Sequence, residues 1–550
     1  ITGGFGGGFG SAGLRIEAGA LKVASGASGG GGSIIDSAGV PLNLISANVG
    51  LGSLKLITTQ NAGTTGADGT VNILGNVSGQ QITITTNGDA GPNDINIFAG
   101  LGNSTSLTHE NLTSNGGSVA TFGTGSITAL SAIIAATGDI NINSNVGSTI
   151  PGNANPFSLV STNGNVVVNQ GLIPMNLSNV SVKPGGSVLV NSQGPITAGK
   201  ITADGGTINV NVLGGNNGIV LGGAMTTGPT TGSITLTTAG TGAITERVAP
   251  LTGTLTSKTI NLLTNASIGS ASGPVLTNAV NNGTVNTSYG SNGSVFLSDS
   301  STGVVTVNAL TASSGTLSVG SQASQLNIPQ ANFSTVLISD NGPIGNVLLN
   351  SGNNTAAVIG NGTGTVSVLA TGNIDANANN TGINGTSTSF TSTNGSIGAA
   401  RRLQVSGATL TARAANGSVD VATAQATTAN ASAGTSFNLI DTVSGSPLTI
   451  NGPITANNVN IQAVNANGLP INGDLGNSNA TSVNVASGGA IGLSTGAAVS
   501  AADINFNSVT NTIALGSNLT ASNFHLTTNS GVTSIATATS PGGTDQITAG

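Results

Sequence analysis

"GGSVLVNSQGPITAGKITADGGTINVNV", residues 185–212, decides the fold. Gly186-Ser187-Val188 opens one short alternating run, and Gly206-Thr207-Ile208 opens the next. A period of two puts alternate side chains on opposite faces of a strand. Glycine before each run suits a tight corner that needs backbone freedom. The distance from Val188 to Ile208 is twenty residues, the length of one rung in a solenoid.

The same sentence is written along the whole chain. It returns in "GTVNILGN" (69–76), "TGDININSN" (137–145), "NGNVVVNQG" (163–171), "TGSITLTT" (231–238) and "NGSVFLSD" (292–299). It continues in "TGTVSVLATGNIDA" (363–376), "NGSVDVAT" (416–423), "SPLTINGPITANNVNIQ" (446–462) and "AADINFNSV" (501–509). No stretch carries a 3.6-residue period. Val295, Val305 and Leu317 each follow a glycine by two residues, ten and twelve apart, which sums to a rung of 20–22 residues. A hairpin sandwich shares an 8–12-residue rhythm but needs hairpin turns and aromatic core anchors. Aromatics make up 2% of this chain. The pattern therefore predicts an all-β parallel β-helix, with small β-branched side chains filling a narrow interior and Asn, Ser and Thr forming ladders between coils. At ~4.8 Å between strands, 550 residues would make about 26 coils and an elongated rod near 125 Å.

Composition narrows the function. Charged residues are 5% of the chain, against about a quarter in an ordinary soluble domain. Ten Lys and Arg in 550 residues, with a net charge of −7, cannot make the basic stripe that nucleic acid requires. There are 86 glycines and no cysteine. No apolar run is long enough for a transmembrane helix; "ITALSAIIAATGDI" (127–140) comes nearest. The chain begins at Ile1 with no visible signal peptide, which is expected of a processed chain or a piece of a longer one. Asn-x-Ser/Thr sequons such as Asn76, Asn176 and Asn394 are as frequent as this composition gives by chance.

"INLLTNASIGSASGPVLTNA" (260–279), "NGSVFLSDSSTGVVTVNALTASSGTLSVG" (292–320) and "TSTNGSIGAARRLQVSGATLTARAANGSVDVATA" (391–424) resemble the repeat regions of filamentous-haemagglutinin-like bacterial exoproteins. The resemblance covers most of residues 60–540. It implies a right-handed parallel β-helix at the cell surface or outside the cell, with adhesion, matrix formation or surface filaments as its work. The family's N-terminal secretion motif is not evident, and "GNANPF" (152–157) matches it poorly.

Chemistry-bearing residues are sparse. "NGDAGPNDIN" (87–96) places Asp89 and Asp94 in one Gly/Pro loop, with Asn87 and Asn93 as further oxygen donors. It reads either as a weak calcium loop or as a turn whose side chains cap their own backbone. His109 and His525, the only histidines, lack partners at metal-ligand spacing, and in "NFHLTT" (523–528) Phe524 and Leu526 should share the face opposite His525. Glu246 and Arg247, adjacent in a strand, should point to opposite faces. Arg401, Arg402 and Arg413 form the one basic cluster, open either to an anionic glycan or neighbouring subunit, or to solvent alone. No Asp-Asp pair and no serine-histidine-acid set can be assembled locally, so catalysis, a metal and a cofactor are not expected.

Residues 1–33 read as a glycine-rich arm holding Phe5 and Phe9, and residues 34–550 as one continuous β-helix. The arm either packs on a neighbouring subunit with the two Phe as anchors, or folds back on its own first coils. The expectation is a structural extracellular protein that polymerises with itself. A glycan-binding rod segment of a large adhesin is the alternative, and a polysaccharide lyase or hydrolase a third reading.

Overall fold

The computed structural model describes residues 13–24, 31–37, 40–59, 69–87, 93–102, 108–144, 156–247, 253–309, 313–350, 358–377, 382–423, 428–442, 448–464, 468–530, 532–539 and 545–549. Every element among them is a β-strand, and all the strand pairings named below are parallel. The strands stack into a β-solenoid of about 20 turns. Contacts divide the chain into two compact units, Ile1–Asn281 and Asn282–Gly550.

The opening motif stacks as its spacing requires. Ser187–Ser192 lies in register on Thr207–Val212, with Val188 beside Ile208 and Val190 beside Val210. All four of those side chains are fully buried. Val295 stands beside Leu317, and Val305 beside Leu326. Turn length is less regular than 20–22 residues. Asn191 and Asn211 are 20 apart, but Asn43 and Asn72 are 29 apart. Longer turns put more residues between stacked strands, which is why about 20 turns form where about 26 were expected.

In the first unit one ladder climbs through Ser53–Thr58, Gln81–Asn87, His109–Asn115 and Ser131–Ala136. A second climbs through Val71–Ile73, Ile95–Ile97, Val119–Thr121, Ile140–Ile142 and Val166–Gln170. Leu14–Ile16 already pairs with Ile34–Asp36, and Ala20–Ala24 with Leu42–Asn48. The stacked strands thus begin inside the segment read as an arm. Phe5 and Phe9 lie outside the described residues.

In the second unit one ladder climbs through Thr365–Ala370, Ser387–Ser392, Thr409–Ala414 and Thr428–Ala433. Another climbs through Val419–Thr423, Ser436–Asp441, Asn458–Ala463, Ser482–Ser487, Asp503–Ser508 and Asn523–Thr528. The core of each unit is the column of inward Val, Ile, Leu and Ala, with Phe157 in the first and Phe333, Phe390, Phe437 and Phe506 in the second.

The Gly-(Ser/Asn/Asp)-(Val/Ile) motif has a physical reason at each position. The glycine sits against the rung below: a Cβ on Gly206 would come within 1.7 Å of the Gly186 carbonyl oxygen. The small polar residue caps the rung above. Asp94 Oδ1 accepts the Ser118 amide at 2.7 Å, Ser118 Oγ the Asp139 amide at 3.1 Å, Asp139 Oδ1 the Asn165 amide at 2.6 Å, and Asn165 Oδ1 the Ser187 amide at 2.8 Å. The same chain of caps runs Asn346–Asn373–Ser396–Ser418 in the second unit. The apolar third residue then enters the core.

Candidate functional site

The side chains that carry chemistry are used in two repeating ways. At the last inward position of a strand, a hydroxyl or carboxylate accepts the backbone N–H two residues on, as Asx and Ser/Thr turns do. Ser192 takes the Gly194 amide at 3.1 Å, Ser321 that of Ala323 at 3.0 Å, and Ser487 that of Gly489 at 3.1 Å. Asp299 takes the Ser301 amide at 3.0 Å, and Asp340 that of Gly342 at 3.2 Å. These side chains are buried, so the corner's backbone polar groups are paired without water.

Burial moves the acids. Asp340 is pushed from 3.8 up to about 6, chiefly by desolvation, and Asp299 adds repulsion; the Gly342 amide and the Ser321 side chain pull the other way. Burial pushes Glu110 well above the ordinary carboxyl range. Glu110 lies between Ile82 and Ala132, and neither of its oxygens has a hydrogen-bond partner among the described residues. Burial also raises Asp375, against the backbone amides of Ala400, Arg401 and Ala399, which favour its charged form. The sequence reading missed these buried acids. Strand parity holds the signal: Val336, Ile338 and Asp340 share one phase, as do Val295, Leu297 and Asp299.

The second use is outward. In the first unit Asn72 donates to Asn43 at 3.0 Å and Asn96 to Asn72 at 3.0 Å. Asn191 donates to Asn169 at 2.7 Å, and Asn211 to Asn191 at 2.9 Å. In the second unit a column starts with Arg402, whose Nε donates to Asp420 Oδ1 at 2.6 Å. Asn438 donates to the same oxygen at 2.8 Å, and Asn460 to Asn438 at 2.9 Å. Asn484, Asn505, His525 and Gln546 continue the column in register, with Asn505 donating to Asn484 at 2.8 Å and His525 Nδ1 lying 3.1 Å from Gln546 Oε1.

The residues singled out from the sequence do not converge. Arg402 is paired within its own chain, one rung from Asp420. Arg413 stands exposed on Thr409–Ala414, on a different ladder, beside Thr391 and Ser432. Arg401 is exposed, and its backbone amide faces the Asp375 carboxylate. Asp89 lies outside the described residues. Asp94 and Asn93 each spend an oxygen on the backbone amide of a residue 24 positions away, Ser118 and Gly69, so these bonds tie neighbouring rungs together and do not cap the loop's own backbone. His109 Nδ1 meets Ser131 Oγ at 2.7 Å, and His525 faces away from buried Phe524 and Leu526. Glu246 is buried, taking the Gly253 amide at 2.8 Å, while Arg247 is exposed on the opposite face.

Among the described residues no three His, Cys, Asp or Glu side chains gather as metal ligands. A shallow groove of about 430 Å³ in the second unit is lined by small and hydroxyl side chains, among them Ala480, Thr481, Ser500 and Ser522, and holds no titratable group. No helix is long and apolar enough to cross a membrane among the described residues. No family model matches the chain, and no curated protein or solved structure does.

Proposed function

We propose that the protein is a structural protein of the cell exterior, a subunit of a surface or secreted filament or matrix of the filamentous-haemagglutinin-like kind, which associates with itself. The observation that carries this reading is the in-register stacking within each unit, tied rung to rung by backbone bonds and by side-chain ladders such as Asn169–Asn191–Asn211. Asp299 and Asp340 are each spent on a corner cap. Scarce charge lowers self-repulsion and favours association. The reading requires no cofactor, metal or nucleic acid.

Negative-stain microscopy across a concentration series tests it. Fibres that lengthen with concentration are expected; particles of one length at every concentration overturn it. Deleting residues 1–12, with Phe5 and Phe9, asks whether the N-terminal segment makes the contact, and unchanged fibre growth removes it from the assembly.

Arg413 favours a second reading, the rod segment of an adhesin. It is exposed in a column of hydroxyls, with no ion pair among the described residues, and a guanidinium suits a carboxylated or sulfated glycan. Glycan-array binding that Arg413→Ala abolishes would support it.

A further inference from the structure

Four apolar side chains stand outside the core, one above another, at one corner of the first unit. Leu44 pairs with Ile73, Ile73 with Ile97 and Ile97 with Thr121. The residues that follow them are Ile45, Leu74, Phe98 and Phe122, exposed by 44%, 47%, 39% and 43%. The two phenyl rings are stacked, centroids 5.0 Å apart and planes 19° apart. The amide column Asn43–Asn72–Asn96 runs on the strands beside them. Residues 43–48, 71–76, 95–100 and 119–124, which carry the stripe, contain no charged side chain.

We propose that this stripe is a self-association surface, occupied by the same stripe of a second copy of the chain. The proposal deepens the reading of a self-assembling subunit, on which it rests, by naming a lateral contact. Three features select the occupant. The rings cover each other's faces along the column, so the flat aromatic platform that a sugar ring stacks on is not offered. The side chains repeat once per rung, ~4.8 Å, so a partner that interdigitates along the column must share that repeat, and a second solenoid does by construction. With no charge on the stripe, two copies meet without like-charge repulsion, and a two-fold axis makes the contact self-complementary. Four partly exposed side chains present far less than the ~800 Å² per partner of a standard stable interface, so the contact is weak alone and gains strength when repeated along an assembly.

The chain has no cysteine, so an introduced one reports cleanly. Phe98→Cys and Asn111→Cys, the second on the exposed face of His109–Asn115, are compared for disulfide-linked dimer formation in the full chain under mild oxidation. Phe98→Cys is expected to cross-link at least tenfold faster. Sedimentation velocity of the cysteine-free chain should show dimer growing with concentration and lost in Phe98→Ser/Phe122→Ser, whose unfolding midpoint should be unchanged because both rings are partly exposed. Equal cross-linking rates overturn the proposal. So does a chain that dimerises only once residues 1–12 are deleted, since its own N-terminal segment then covers the stripe. Fibres that still form from Phe98→Ser/Phe122→Ser, with Phe98→Cys and Asn111→Cys cross-linking at equal rates, would retire the stripe and leave the filament reading; preferential cross-linking of Phe98→Cys without fibres would do the reverse.

Discussion

Asp340 gives the second unit a pH response whose sign follows from its burial. Burial pushes its carboxyl up to about 6 in the fold from the 3.8 of a free side chain, so the folded state holds the proton more tightly. The stabilisation is complete below 3.8 and is lost as pH rises through about 6. The loss is on the order of 3 kcal/mol, since one pKa unit is worth ~1.4 kcal/mol. Urea midpoints of the second unit should fall from pH 4.5 to pH 8, and Asp340→Asn should flatten that slope. Gly206 is the other decisive residue type. Its Cβ would strike the Gly186 carbonyl at 1.7 Å, whereas a Cβ on Gly492 meets nothing within 4 Å. Gly206→Ala is expected to lower the thermal midpoint by several degrees, and Gly492→Ala to leave it unchanged or raise it slightly.

A strand of this solenoid is held on both sides at once, by apolar stacking within and amide ladders without. Asn460 sits between Asn438, to which it donates at 2.9 Å, and Asn484 in register above. Asn460→Ala should cost about 1 kcal/mol, the net worth of one such bond, read as a shift in the second unit's denaturation midpoint. The Arg402–Asp420 pair adds little despite its 2.6 Å contact, because both side chains are about a third exposed and solvent screens them. Strand-scale stability therefore comes from many equal small bonds, and no single outward side chain is indispensable.

Repeat architectures unfold in blocks set by nearest-neighbour contacts. The contact pattern divides this chain at Asn281/Asn282, two residues that both adopt the left-handed conformation, with φ of 54° and 56°. Denaturation is expected to show two transitions. Fragments 1–281 and 282–550 should each retain β-sheet circular dichroism, and Asp340→Asn should move only the transition of the second. One merged transition, or a fragment without structure, would contradict that division.

The amino-acid order by itself determined strand, rung and corner. Alternation marks which side chains enter the core, and glycine before a small polar residue marks each turn, because period and backbone freedom are local properties. "NGSVFLSD" and "NGSVDVAT" are legible without neighbours for that reason. The buried acids were half legible: parity puts Asp299 and Asp340 inward, but only the corner amide two residues on explains why the interior accepts them. Separation of Arg402 from Arg413, the pairing of Arg402 with Asp420, and the stacking of Phe98 on Phe122 belong to the tertiary structure alone. Each depends on how many residues a corner inserts between rungs, and that length decides which distant side chains share a column.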